Sequence, residues 1–314
     1  MAGDKINVGG QAVLEGVMMR SPQAYTVVVR KPNGEVAVKE APWRSVSARL
    51  KWLAWPFFRG VVVLIESLVN GIDALTFSAN QALEEDDKDK PGALSNLALA
   101  GTIVAALGLA LALFVALPHY LSLALGRLGP IGFGVESLAF HAVDGAIKLA
   151  LFIGYVWLIG RIKDIGRVFE YHGAEHKTIY AYEAGRDLTV ENARAYSTLH
   201  PRCGTAFMLV VLMISILLFA VVFPLITPAG GQGWALHLVF VGIKILLMLP
   251  IAGAAYELNR YASKHLDNRL LKAAVAPGLW VQRLTTREPS DDQIEIALIA
   301  LKKALAIEAA QPTP

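Results

Sequence analysis

Four apolar runs, Leu97 to Leu117, Leu138 to Gly160, Gly204 to Ile226 and Trp234 to Tyr256, limit what this chain can fold into more than any other feature. Each is near the ~20 residues that an α-helix needs to cross a hydrocarbon core. In a chain of 314 residues, 55% of them hydrophobic, these runs argue against two soluble domains. They predict a mainly α-helical integral membrane protein with about four transmembrane helices and the lipid bilayer as its first partner. Met1 to Gly16 has neither a basic leader nor a long apolar core, so no signal peptide is expected and the first hydrophobic segment directs insertion.

The basic residues give the direction. Arg44, Arg49, Lys51 and Arg59 precede the first run; Arg161, Lys163, Arg167, Lys177, Arg186, Arg194 and Arg202 lie between the second and third; Arg260, Lys264, Arg269 and Lys272 follow the fourth. The two remaining loops hold only Arg127. The positive-inside rule therefore puts both termini and the 161–203 segment in the cytoplasm, with a bacterial inner membrane as the simplest home. A net charge of +3 is too small to point to nucleic acid, and a single cysteine leaves no internal disulfide and fits a reducing compartment.

Around the spans, the sequence divides into a glycine-rich segment and β-hairpin (1–45), an amphipathic or interfacial helix with a charged linker (46–96), two spans (97–160), a cytoplasmic loop (161–203), two more spans (204–258) and a cytoplasmic helical tail (259–314). Tyr25 to Arg30 and Glu35 to Lys39 flank Lys31-Pro32-Asn33-Gly34, and Asn-Gly is a strong hairpin signal. The glycines from Val8 to Pro22 keep neither phosphate-loop nor dinucleotide spacing, so they are assigned to close backbone packing. From Trp52 to Gln81 the chain reads as a helix whose Glu66, Asn70 and Asp73 share a face, which favours an interfacial or packed helix over a crossing. Glu84 to Gly92 is a solvated charged linker. Pro277-Gly278 is expected to break the helix that leaves the fourth span, and Ser290 with Gln293 forms a capping box opening a terminal amphipathic helix.

The chemistry concentrates in Tyr171-His172-Gly173-Ala174-Glu175-His176-Lys177. On a helix His172 and His176 present imidazoles to one point, and Glu175 flanks that point where it accepts a proton rather than ligates, in the H-x-x-E-H order. Two imidazoles leave a zinc site short of ligands, and His200 or Cys203 is the candidate third. The chain has seven histidines and one cysteine, and four of those eight lie between 172 and 203, which strengthens a short motif. Glu257, at the cytoplasmic end of the fourth span, is a further candidate ligand or base and ranks below His200. The competing reading pairs the histidines with Glu170 or Glu183 and leaves Cys203 an inert packed thiol.

A second constellation lies inside the spans. His141, Asp144 and Lys148 share one helical face and His237 and Lys244 another. Ionisable groups in a membrane are costly unless paired, so an Asp144–Lys148 pair with Lys244 nearby is expected. The functional alternative is a polar pathway for an ion, proton or solute.

Several segments make the chain resemble the YqhQ family of bacterial membrane proteins. They are Asn7 to Arg20, Tyr171 to Lys177, Leu188 to Ala193, His200 to Thr205 and Pro277 to Pro289, and the likeness runs nearly end to end. That family is defined by a domain of unknown function and labelled as predicted metal-dependent enzymes. The resemblance implies a multi-span protein with a cytoplasmic metal-binding motif and no established substrate.

The function expected from the residues is a zinc-dependent hydrolase at the cytoplasmic face, with a divalent metal as cofactor and a peptide, amide or small molecule as substrate. A transporter or channel using the intramembrane charges is the alternative, as is a scaffold stapled by a closed four-ligand site. The sequence leaves oligomerisation open.

Overall fold

The computed structural model describes residues 6–82, 96–129, 132–226, 234–265 and 268–311. The charged linker predicted at Glu84 to Gly92 lies outside them. The chain opens with four strands, β1 (Gly9–Val13), β2 (Gly16–Arg20), β3 (Ala24–Arg30) and β4 (Val36–Pro42), paired antiparallel in sequence order. The hairpin predicted from Asn33-Gly34 joins β3 to β4, with Gly34 at φ +87°. The glycine-rich stretch assigned to close packing is itself two strands. Gly16 explains how: a Cβ there would lie 2.2 Å from the Val28 carbonyl oxygen, so β2 pairs with β3 only because it lacks one.

Helices make up most of the rest. They are α1 (Val46–Arg49), α2 (Phe58–Ala82), α3 (Asn96–Leu111), α4 (Leu117–Leu128), α5 (Leu138–Ile159), α6 (Lys163–Glu183), α7 (Val190–Arg194), α8 (Gly204–Ile226), α9 (Trp234–Lys264), α10 (Arg269–Thr285) and α11 (Asp291–Ala310). A π turn over Ala112–Ala116 joins α3 to α4 without a break. Pro118 follows it; having no amide to donate, proline is tolerated where the ladder is already altered.

Among the described residues, five helices are long and apolar enough to cross a membrane: Phe58–Ala82, Gly101–Leu128, Leu138–Ile159, Gly204–Ile226 and Leu236–Ala262. The sequence named four. The addition is α2, whose 25 residues are apolar enough on average to qualify despite Glu66 and Asp73. The first run also extends eleven residues past its expected end at Leu117, which carries His119 and Ser122 into the bundle.

Three buried clusters hold the described residues together, the smallest being Val13, Met18, Tyr25, Val27 and Val29 of the sheet against Ala74 of α2. Of the other two, one sits among β1–β3, α6, α7 and α11, where Val17, Met19 and Val28 meet Tyr171, Ile179, Ile294, Ile296 and Leu301. The other lies inside the apolar bundle, built from Phe140, Phe219, Phe223, Phe240 and Ile251. The sheet, the 163–183 helix and the C-terminal helix thus form one body at one end of the bundle. The predicted capping box opens α11, with Gln293 Oε1 accepting from the Ser290 amide at 2.9 Å.

Pro277-Gly278 does not break its helix, and α10 runs through both residues. Pro277 stands on an exposed face, and Gly278 lets α10 approach α8 so closely that a Cβ would lie 2.8 Å from that of Ala206. The pair marks a helix contact, which residue types alone do not distinguish from a stop.

Candidate metal centre

Helix α6 carries the whole of the first motif. Its Nε2 atoms of His172 and His176 and the Sγ of Cys203 lie within 4.8 Å of one another, and the latter two residues are buried. Cys203 immediately precedes α8, so its sulfur accepts from the Thr205 amide at 3.4 Å in the manner of an N-cap. The dipole of that helix favours a negatively charged atom there.

The outer nitrogens fix the tautomers. His172 Nδ1 lies 2.8 Å from the Thr285 carbonyl and His176 Nδ1 lies 2.5 Å from the Thr198 carbonyl. A carbonyl only accepts, so both Nδ1 atoms donate and both Nε2 atoms turn lone pairs inward. His172 Nε2 is 3.2 Å from Cys203 Sγ. Two imidazole lone pairs and a sulfur therefore converge with at most the thiol proton among them. This donor set fits a divalent ion bound by nitrogen and sulfur, with carbonyls orienting the imidazoles from behind.

Glu175 faces the same point. Its Oε2 is 4.0 Å from His172 Nε2, and it is buried beneath β1, where a Cβ on Gly10 would lie 2.8 Å from its Cγ. Burial raises its pKa above the ordinary carboxylate range, opposed by His172, His200 and the Gly10 amide. Burial likewise lowers His176 and His200, so both imidazoles are neutral at pH 7.

His200 stands beside the cluster rather than in it. Its Nε2 contacts Glu183 Oε2 at 3.3 Å and its Nδ1 accepts from the Arg202 amide at 3.3 Å. Of the two candidates for the third position, the structure brings Cys203 to the imidazoles. Glu257 is remote: it pairs with Arg59 and accepts from the Phe57 amide, tying α9 to the start of α2.

The supporting residues were not singled out as such in the sequence. Gln282 donates to the His200 carbonyl at 2.8 Å and accepts its amide at 2.8 Å, pinning α10 to the 200–203 turn. Lys177, the last residue of the motif, donates to the carbonyls of Arg194 and Tyr196 at 2.9 and 2.8 Å and holds the segment that presents Thr198. Their only sequence signal is position, within two of the segments that carry the family resemblance.

The described family that matches the chain is "Protein of unknown function (DUF1385)", over residues 55–307. The chain belongs to this family. It is similar to "Uncharacterized protein YqhQ" of Bacillus subtilis (strain 168), 33% identical over 311 residues that cover 96% of this chain and 93% of the relative. No solved structure matches it.

The ionisable residues of the apolar helices gather as well. Lys148 and Lys244 both donate to Asp144 Oδ2, at 2.7 and 3.0 Å. His237 joins them through His119, a residue outside the expected spans, while His141 turns aside to the Val135 carbonyl at 2.9 Å.

Proposed function

We propose that this DUF1385 protein is a zinc-dependent hydrolase of the bacterial inner membrane, with its site and both termini in the cytoplasm. The observation that carries the reading is the convergence of His172 Nε2, His176 Nε2 and Cys203 Sγ beside a buried carboxylate. Three protein ligands are the number found in catalytic zinc sites, which keep a fourth position for water; His200, held by Glu183, does not close the set into a structural staple. A divalent ion held there would lower the pKa of water and polarise a carbonyl. Glu175 accepts the water's proton and passes it to the leaving nitrogen of a peptide or amide, a role its burial suits by raising its pKa. The Gly10 amide holds that carboxylate in place.

The four-crossing topology rests on parity. The sheet and α6 share a core, so the chain between Pro42 and Lys163 crosses the bilayer an even number of times. Three candidate helices lie in that interval. Of these, α2 begins against Gly253 and Tyr256 at the sheet end of α9 and reaches the sheet, where Asp73 accepts from Tyr25 Oη at 2.8 Å. Both its ends lie on one side, which leaves α3–α4, α5, α8 and α9 as the crossings.

The test is a comparison of wild type and Glu175→Gln on quenched peptide and amide libraries. The reading expects turnover by the wild type and its loss in the variant with zinc still bound; equal turnover by both removes Glu175 as base.

A further inference from the structure

The buried cluster in the bundle is polarised in one direction, and its hydrogen bonds state which. Lys244, on α9, is fully enclosed: its ammonium donates to Asp144 Oδ2 at 3.0 Å and stands 5.7 to 5.8 Å from the ring centres of Phe140, Phe219 and Phe223. Its third contact is His119 Nδ1, at 3.2 Å. An ammonium only donates, so His119 Nδ1 accepts and the His119 proton is on Nε2. That Nε2 lies 3.2 Å from His237 Nδ1, which must accept in turn, so His237 carries its proton on Nε2. The last atom has no partner among the described residues.

His237 is also a wall of a cavity of about 270 Å³, lined besides by Gly126, Arg127, Phe133, Val135 and Glu136. These belong to the loop end of the bundle, opposite the sheet. The row of donors thus begins at Lys244 and ends on an unpartnered, enclosed N–H of a residue that lines the cavity. In the other direction, among the described residues, it stops. Beyond Lys148, buried positions toward the sheet are Val156 on α5, Leu209 and Val210 on α8, and Ile251, Ala252 and Ala255 on α9, and the Ser215 hydroxyl is turned to its own helix.

Charge supplies the driving force. Two lysines share one carboxylate, so the cluster holds an excess positive charge in the membrane, where an unbalanced charge is costly. Loss of one proton from Lys244 leaves Asp144 and Lys148 as a balanced pair. Among the described residues, Asp144 Oδ1, His141 Nδ1 and Ser122 Oγ, one turn from His119 on α4, are further unpartnered buried polar atoms of the bundle, with Arg127 and Glu136 at the cavity.

We propose that Lys244, His119 and His237 form a one-sided proton-exchange site, passing a proton between the Lys244 ammonium and water in the cavity. The step balances: Lys244 gives a proton to His119 Nδ1, His119 gives its Nε2 proton to His237 Nδ1, and His237 gives its Nε2 proton to water. Both imidazoles end neutral as the opposite tautomer, and return of the proton resets them. This inference is independent of the metal centre.

The test uses the full chain in lipid nanodiscs, with histidine and lysine side chains labelled with nitrogen-15 for NMR. Signals are assigned by their loss in His119→Phe, His237→Phe and Lys244→Met. In the wild type, both His119 and His237 are expected as Nε2–H tautomers, a readout that needs no variant to fold well. Hydrogen–deuterium exchange at Lys244 is expected to slow at least tenfold in His119→Phe, which plugs the route. A proton on His119 Nδ1 in the resting wild type, or exchange in the plugged variant as fast as in the wild type, overturns the proposal.

Discussion

His172 Nε2 and Cys203 Sγ lie 3.2 Å apart although 31 residues separate them in sequence. The approach is set by the two ends of the intervening segment: α6 holds one atom, the first turn of α8 holds the other, and Gln282 and Lys177 clamp the chain between them. His200, three residues from Cys203, is turned to Glu183. Cys203→Ala is therefore expected to lower zinc affinity by tenfold or more, whereas His200→Gln leaves metal stoichiometry unchanged. Titration with a competing chelator measures both, and the reverse order would make His200 the ligand.

Glu175 links stability to pH in the metal-free protein. Its pKa is raised by burial, so between the unfolded value of about 4.3 and the higher folded value the folded chain holds a proton that the unfolded chain has lost. Stability attributable to this group therefore falls as pH rises through that interval. Glu175→Gln removes the loss. Chelator-treated variant is expected to melt above chelator-treated wild type at pH 8 and with it at pH 4, with thermal unfolding in detergent as the measurement.

Among the described residues, Asp144 is the one counter-ion shared by two buried lysines. Asp144→Asn leaves Lys148 and Lys244 without a counter-charge and is expected to cost about 3 to 5 kcal/mol. Adding Lys148→Met to Asp144→Asn removes one of the two stranded cations and is expected to recover part of that loss, a coupling read by a double-mutant cycle.

The topology makes a prediction of its own. If α2 stays on the sheet side, its C-terminal end is cytoplasmic together with the C-terminus. A Gln81→Cys variant in whole cells should resist a membrane-impermeant thiol reagent and react after lysis. Reaction in intact cells would mean that α2 crosses.

Much of this architecture is written locally in the chain. Asn33-Gly34 specifies its hairpin because few residues other than glycine adopt the required backbone, and the apolar runs announce bilayer-length helices through composition alone. What the sequence concealed depends on partners distant in the chain. β1 and β2 look like a glycine-rich loop until Val28 supplies the neighbour that needs Gly16, and Pro277-Gly278 looks like a stop until Ala206 is seen against Gly278. His119 lies two residues beyond the apolar run that ends at Leu117, and the π turn before Pro118 lets the helix continue to it. At the site, the spacing of His172 and His176 was legible on one helix. The choice between His200 and Cys203 was not, since it turns on Glu183 and Thr205 around a bend.

The central claim is that His172, His176 and Cys203 hold a metal ion, and metal content tests it most directly. The chain would be purified in detergent without a histidine tag or chelator, and its metals counted by mass spectrometry beside a His172→Ala, His176→Ala double variant. The account predicts near-stoichiometric zinc in the wild type and its loss in the variant. Wild-type protein that stays metal-free after zinc is supplied would contradict it, leaving the three side chains as a hydrogen-bonded thiol and imidazole cluster.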